Sequence, residues 1–344
     1  TPDVSSAASD VYKRQLDWTV GAFYMDHEIE NVIRGYRDDD LDGRIKYLCD
    51  ESFADPSYCY DHDYGIPGRF DIFGPNAEVD FFTDANPSRE SYSVYAQTTY
   101  SLADAFRIVS GLRYSEDTFT TDVTNFLNVE SFQEEGTTDE ITSRVVAEVD
   151  FSEDLMGYFA LARGFKPGGS NLTFGFDDDN APPMVFPTFD AETVDSVEFG
   201  LKSTFADGAA RANIAVFSYT YENLQFQATD PDIYRGGVAN IPESEMSGLE
   251  IEFTGFLTDS LSLDMNLAFL DSEVTSDYEV LDNVDAYPYF FGEEDIRYGL
   301  RENVKGNQLA KTPEFTADIT FKHETNLASG NSLTTLVQYC LLYT

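Results

Sequence analysis

Apolar and polar residues alternate one by one through much of this 344-residue chain, and the clearest run is 248–271. Leu249, Ile251 and Phe253 alternate with Glu250, Glu252 and Thr254. Past a Thr258-Asp259-Ser260 break, Leu261, Leu263, Met265, Leu267 and Phe269 alternate with Ser262, Asp264, Asn266 and Ala268. A period of two collects the apolar residues on one side of a strand, whereas a helix would spread them around its circumference. The stretch predicts a hairpin with one apolar and one polar face.

The pattern recurs along the chain. Residues 16–34 predict a long strand in which Trp18, Val20 and Ala22 alternate with Asp17, Thr19 and Gly21. Strand pairs are then expected around breaks at Leu102 to Ala105, Ser152 to Asp154 and Ala206-Asp207-Gly208, followed by 248–271 and by strands near 311–322 and 332–340. Long connections separate them: one from the first strand to about residue 90, then 119–139, 166–191, 225–245 and 275–310. Short and long connections thus alternate. A barrel crossing an outer membrane has tight turns on its periplasmic rim and extended loops outside, while a Greek-key sandwich mixes its connections less regularly.

Face composition agrees. Lys or Arg facing lipid costs about 2–4 kcal/mol at the midplane. The strand charges Arg107, Arg113, Arg144, Glu148, Glu198, Lys202, Glu250, Glu252, Asp264 and Asp318 all fall on the polar side. The fold class is therefore all-β: a partial antiparallel transmembrane β-barrel with short periplasmic turns and long extracellular loops. About eleven strands are expected, an odd number that does not close as a bacterial single-chain barrel. That is half of the about 22 found in the plugged outer-membrane transporters.

Composition narrows the partners. The chain has 28 Phe and 21 Tyr, which suits aromatic girdles at a lipid boundary. Acidic residues outnumber basic ones 63 to 21, for a net charge of −42. Binding to nucleic acid is disfavoured, and divalent cations are the expected electrostatic partners. No Ser, Cys or His arrangement points to nucleophilic catalysis, so no enzyme is expected. Residues 1–15 and 340–344 resemble translated sequencing adapter and are expected to be non-native tails, leaving 16–339 as the barrel region. Cys49 and Cys59 then form a close pair: a loop-closing disulfide adding about 2–3 kcal/mol of local order, or two separate thiols.

Seven phrases in order carry a family resemblance: WTVGAFY at 18–24, SVYAQTTYSLADAFRIVSGLRYSED at 93–117, YFALARGFKPGGSN at 158–171, ETVDSVEFGLKSTF at 192–205, then FSYTYENLQFQ, SGLEIEF and GNQLAKTPEFTADI. Together they resemble the β-barrel region of TonB-dependent outer-membrane receptors. The resemblance implies a cell outer membrane location in a Gram-negative bacterium, surrounded by lipid and lipopolysaccharide. It also implies energy-coupled import of a ferric siderophore, haem, cobalamin or oligosaccharide through a plugged lumen, driven by the TonB-ExbB-ExbD complex acting on a plug region not contained here. The alternatives are a passive outer-membrane porin and a soluble secreted β-domain for adhesion.

Candidate site residues each carry two readings. Asp38, Asp40 and Asp42 stand at D-x-D-x-D-G spacing before Gly43, which can wrap Ca²⁺. The twelfth loop position is Cys49 and not a bidentate Glu, so a solvated acidic loop is the other reading; no cofactor besides this Ca²⁺ is expected. Arg163 and Lys166, with Asn171 after the Gly168-Gly169 pair, either hold an anionic ligand or serve the barrel rim. Tyr58, Tyr60, Tyr289 and Phe290 either stack on a ligand or pack their own loops. The acidic loops 36–90 and 275–310 should repel a strongly anionic chelate such as a ferric tris-catecholate unless salt or Ca²⁺ screens them. A neutral, cationic or weakly anionic ligand is expected.

Overall fold

The computed structural model describes residues 16–36, 79–125, 130–171, 187–229, 236–281 and 301–343. Among them are sixteen strands and no helix: β1 (Leu16–Glu28), β2 (Asn31–Tyr36), β3 (Val79–Ala103), β4 (Phe106–Asn125), β5 (Glu130–Ser152), β6 (Leu155–Lys166), β7 (Gly169–Ser170), β8 (Thr188–Phe189), β9 (Glu192–Phe205), β10 (Ala210–Thr229), β11 (Gly236–Thr258), β12 (Leu261–Val274), β13 (Glu279–Leu281), β14 (Arg301–Asn303), β15 (Phe315–Asn326) and β16 (Ser332–Tyr343). One sheet runs β1-β3-β4-β5-β6-β9-β10-β11-β12-β15-β16, with β2 beside β3. The pairs β7-β8 and β13-β14 are separate two-stranded ribbons.

Register turns the alternation into rows. On one face Phe159, Phe199, Val216, Leu249, Phe269, Phe315 and Tyr343 are successive cross-strand partners over seven strands. The Phe269 and Phe315 rings lie 4.8 Å apart. On the other face Met156, Lys202, Asn213, Glu252, Asn266, Asp318 and Cys340 form a parallel row. Asn213 donates to Glu252 at 2.9 Å and Gln338 to Asp318 at 2.7 Å.

Among the described residues nothing covers much of the apolar row: Tyr343 is 62% exposed, Phe199 53% and Val216 52%. Among the described residues no second large sheet covers that face. A face of this chemistry requires hydrocarbon. Between β1 and β16 backbone groups are paired in the ladder, as a lipid-facing wall demands, and these two strands form the edges of the described sheet.

The tight turns fall where expected and are closed by local chemistry. Thr258 Oγ1 accepts the Ser260 and Leu261 N–H groups at 3.3 and 3.1 Å, and Ser152 Oγ accepts the Asp154 N–H at 3.2 Å. Between β9 and β10, Ala206, Asp207 and Gly208 all have positive φ, at 54°, 54° and 86°.

Wet-face aromatics lie over glycines of the neighbouring strand: Tyr95 over Gly21, Tyr158 over Gly200 and Phe217 over Gly248. A Cβ on any of these glycines would come within 2.3–2.6 Å of the ring. The aromatic covers backbone that a bare glycine leaves exposed, and helps to pin the register.

The chain divides into two compact units, Thr1–Met25 with Ser91–Asp117 and Thr137–Thr344, and Asp26–Glu90 with Thr118–Gly136. In the smaller one, β2 pairs with the start of β3 from Asn31↔Ala85 to Tyr36↔Val79. Ser88 donates to Thr120 O, Gln133 to Asp122, and the Phe119 ring covers Gly136. Ala85, Thr121 and Val123 are buried there.

Three connections are shorter than the pattern implies. β3 starts at Val79 and not near 90; β4 and β5 reach Asn125 and Glu130 inside the expected 119–139 loop; and β10 and β11 extend to Thr229 and Gly236 inside the expected 225–245 loop. About 9–11 residues suffice to cross the membrane, so the 25 of β3 and the 23 each of β5 and β11 continue well beyond it. Past the hydrocarbon both faces meet water, so alternation fades while backbone pairing persists. At the other end β16 runs to Tyr343, pairing Cys340 with Asp318 and Leu341 with Ala317.

Candidate functional site

The wet face is built up at the end of the sheet carrying the long connections. After Val274 the chain leaves β12 and, from 301 on, returns across that face. Val274 N–H donates to Asn307 O at 2.9 Å, and Gly306 N–H donates back to Val274 O at 2.8 Å. Gly306, at φ 85°, supplies the left-handed turn.

Below it the Leu309 N–H donates to Ser272 Oγ at 3.2 Å, and Thr312 Oγ1 donates to Leu309 O at 2.7 Å. A threonine hydroxyl has one proton, so the 2.7 Å contact between Ser272 Oγ and Thr312 Oγ1 must use the serine proton. Further out, Asn303 Nδ2 and Lys305 Nζ bind the two carboxylate oxygens of Asp277 at 3.0 and 3.3 Å, and hold that carboxyl below the usual carboxylate range. The Phe226 ring meets Tyr278 edge-on at 5.6 Å.

A cleft of about 720 Å³ lies between this returning segment and the ends of β10, β11 and β12. Its walls are mainly apolar, with Phe226, Ile241, Val274, Val280 and Leu309 among them, and Lys166, Lys311, Glu192 and Gln225 add polarity. That is the size and character of a small-molecule site.

Side-chain amides hold the neighbouring 166–192 connection in place. Gln225 Nε2 donates to Pro167 O at 2.9 Å and Asp190 O at 3.0 Å, and the Gln225 N–H donates to Glu192 Oε2 at 2.8 Å. Asn240 donates to Asp190 O and Asn223 O and accepts the Asp190 N–H. Nothing in the sequence pattern distinguished Gln225 or Asn240 from other strand amides, and neither was expected at a site. Lys311 was missed for the same reason; its positive φ of 64° becomes visible only in the fold.

The expected site residues separate. Lys166 ends β6 and lines the cleft. Arg163, three positions earlier in the same strand, faces the opposite side in line with Phe159 and Leu161. There it binds Asp195 through two contacts of 3.0 Å and reaches Glu222 at 3.9 Å.

Asn171 is buried, and its amide copies a backbone ladder, donating to Val238 O at 2.8 Å and accepting Val238 N–H at 2.7 Å. Asp38, Asp40, Asp42, Cys49, Cys59, Tyr58, Tyr60, Tyr289 and Phe290 lie outside the described residues. A second cavity of about 700 Å³ sits at the tight-turn end and is lined by charged groups including Asp104, Asp150, Lys202 and Arg211. Nearby, Arg107 bridges Glu148 at 3.0 Å and grips both oxygens of Asp150.

An antiparallel wall with one lipid-compatible face, tight turns at one end and built-up connections at the other defines part of an outer-membrane barrel. Residues 10–339 match the family model described as TonB dependent receptor-like, beta-barrel, and the chain belongs to that family, one of transport receptors of the Gram-negative outer membrane.

It is similar to the pesticin receptor of Yersinia enterocolitica, 28% identical over 226 residues covering 63% of this chain and 30% of that protein. The ferric yersiniabactin uptake receptor FyuA of Yersinia pestis shares the fold at a TM-score of 0.64 and 16% identity, over 96% of this chain and 40% of that one. The siderophore receptor PiuA of Acinetobacter baumannii does so at 0.57 and 20%, over 75% of this chain and 34% of that one. The chain thus spans about a third of the length of these relatives.

Proposed function

We propose that this chain is the wall and part of the external mouth of a receptor that imports a small-molecule nutrient, with a ferric siderophore as the leading class. The carrying observation is the conjunction, on one sheet, of an apolar face with no protein cover and a ligand-sized cleft on the wet face at the long-connection end. The names of similar proteins, a pesticin receptor and siderophore receptors, support the ligand class. In this reading lipid and lipopolysaccharide surround the apolar rows. Movement of ligand is driven by the TonB-ExbB-ExbD complex through a plug encoded elsewhere in the protein. The spacing of Asp38, Asp40 and Asp42 supports an additional Ca²⁺ in an external loop.

The test is uptake of radioactive iron, supplied as a panel of ferric chelates, by an iron-starved cell whose own receptors are deleted and which expresses the full-length protein. Saturable uptake abolished by a protonophore is expected. Uptake that is unsaturable and survives the protonophore identifies a passive pore instead. Chelation of external Ca²⁺ should weaken uptake if the aspartate loop holds the ion.

A further inference from the structure

The chain carries three acidic residues for each basic one, so a basic side chain would ordinarily find a carboxylate. Arg107, Arg163, Arg301, Lys305 and Lys322 do so, while Arg113, Arg144, Lys202 and Arg211 on the strands have no ion pair among the described residues. Lys166 and Lys311 line the mouth cleft, and among the described residues neither ammonium makes a hydrogen bond or ion pair. The one carboxylate among the described lining residues, Glu192, is the cross-strand partner of Lys166 and accepts the Gln225 N–H at 2.8 Å, so the described lining, with two ammonium groups against one carboxylate, keeps a net charge of +1. The cleft is therefore a locally cationic, largely apolar pocket in a strongly anionic protein.

We infer that the cleft takes an amphipathic anion of low charge: an aryl or alkyl body bearing a single carboxylate or phenolate. The body lies against Phe226, Ile241, Val280 and Leu309, and the charge meets Lys166 and Lys311. Apolar walls supply contact area without orientation, and two ammonium groups supply orientation by charge-assisted hydrogen bonds. A multiply charged chelate is selected against, because each further negative charge meets the field of the acidic chain with no additional uncommitted cation in the cleft. The inference names the ligand class of the receptor reading and rests on it for biological meaning, but the binding event itself depends only on the cleft.

The test uses the full-length receptor in lipid nanodiscs with dansylglycine, a fluorescent aryl carboxylate, and dansylamide, its neutral counterpart. Saturable binding of dansylglycine is expected, weakening with added salt, with dansylamide at least about tenfold poorer. Lys166→Gln combined with Lys311→Gln should erase the preference, and Lys166→Arg with Lys311→Arg should retain it. Both lysines are exposed, so the fold does not depend on them.

Absence of saturable dansylglycine binding, or a preference unchanged in the double Gln variant, overturns the inference. Energy-coupled iron uptake by the same receptor in cells reads the receptor function separately. A protein that imports iron yet fails the dansylglycine test loses the cleft assignment alone.

Discussion

The rows across β6 to β16 and the mouth above them use similar residues for opposite ends. In the rows Phe199, Val216 and Phe269 are left open by the protein, and the charged groups stand on the other face. At the mouth Val274, on the wet side, is 2% exposed, its backbone paired with Gly306 and Asn307 of a returning segment whose Leu309 lines the same cleft. Solvent dictates the first arrangement, since hydrocarbon takes whatever the sheet turns toward it. Chain dictates the second, since among the described residues Val304 and Leu309 of the returning segment line the same cleft as Val274. The period of two is thus a signature of the surrounding medium and fades where that medium ends.

The sharpest way to break the comparison is to move one charge by one residue in the rows. Leu267 pairs with Ile251 and Ala317 on the apolar face, and Ala268 pairs with Glu250 and Thr316 on the wet one. Leu267→Arg should cost about 2–4 kcal/mol, while Ala268→Arg, placed opposite Glu250, should be close to neutral. Urea titration of the receptor folded into thin bilayers reads the difference. Equal destabilisation by both would mean that the Leu267 face is not in lipid.

A smaller contrast uses two glycines of β11. A Cβ on Gly248 would meet the Phe217 ring at 2.6 Å, Leu270 Cδ2 at 2.8 Å and the Phe269 carbonyl at 2.8 Å, and a backbone oxygen cannot rotate away. Gly248→Ala should cost about 1–3 kcal/mol by overpacking. At the mouth, among the described residues, Gly236 has only the Ala228 carbonyl within 4 Å, at 3.9 Å. Gly236→Ala should leave the same titration unchanged or gain about 0.5 kcal/mol from a stiffer unfolded chain.

These two contrasts also show how far the sequence can be read. Hairpin turns, the eleven strands along the main sheet path and the polar face of Glu198, Lys202, Glu250, Glu252, Asp264 and Asp318 were legible, because hydrocarbon imposes alternation residue by residue. Strand ends were not legible at Val79, Asn125 or Gly236, where water wets both faces and pairing continues without pattern. Spacing alone separates Arg163 from Lys166, since residues three apart in a strand face opposite ways. What no spacing shows is that Asn171 is spent on Val238, or that Lys166 and Lys311 line one cleft, for those depend on where connections land.

At the mouth the largest expected effect comes from the hydroxyl pair beneath the cleft. Ser272→Ala removes the acceptor of the Leu309 N–H and the partner of Thr312. About 1 kcal/mol of local stability should be lost. It should appear as faster amide exchange of Leu309, with exchange in the rows untouched. An equal rise at Leu267 would mean that mouth and rows open as one unit.

The gentlest probe is pH, acting on Asp277 between Asn303 and Lys305. Hydrogen bonds from the Asn303 amide and then the lysine ammonium depress this carboxyl, so the folded form binds its proton less tightly than the unfolded chain does. Its contribution is complete above the ordinary aspartate value, about 3.9, and drains away as pH falls through the lower folded value. The β13-β14 ribbon should therefore keep its exchange protection, corrected for intrinsic rate, from pH 7 to pH 5 and lose part of it only under stronger acid. Asp277→Asn should show the acid level of protection already at neutral pH. Because the side chain is largely exposed, added salt should shrink the difference, and the rows, which contain no part of this cluster, should show none of it.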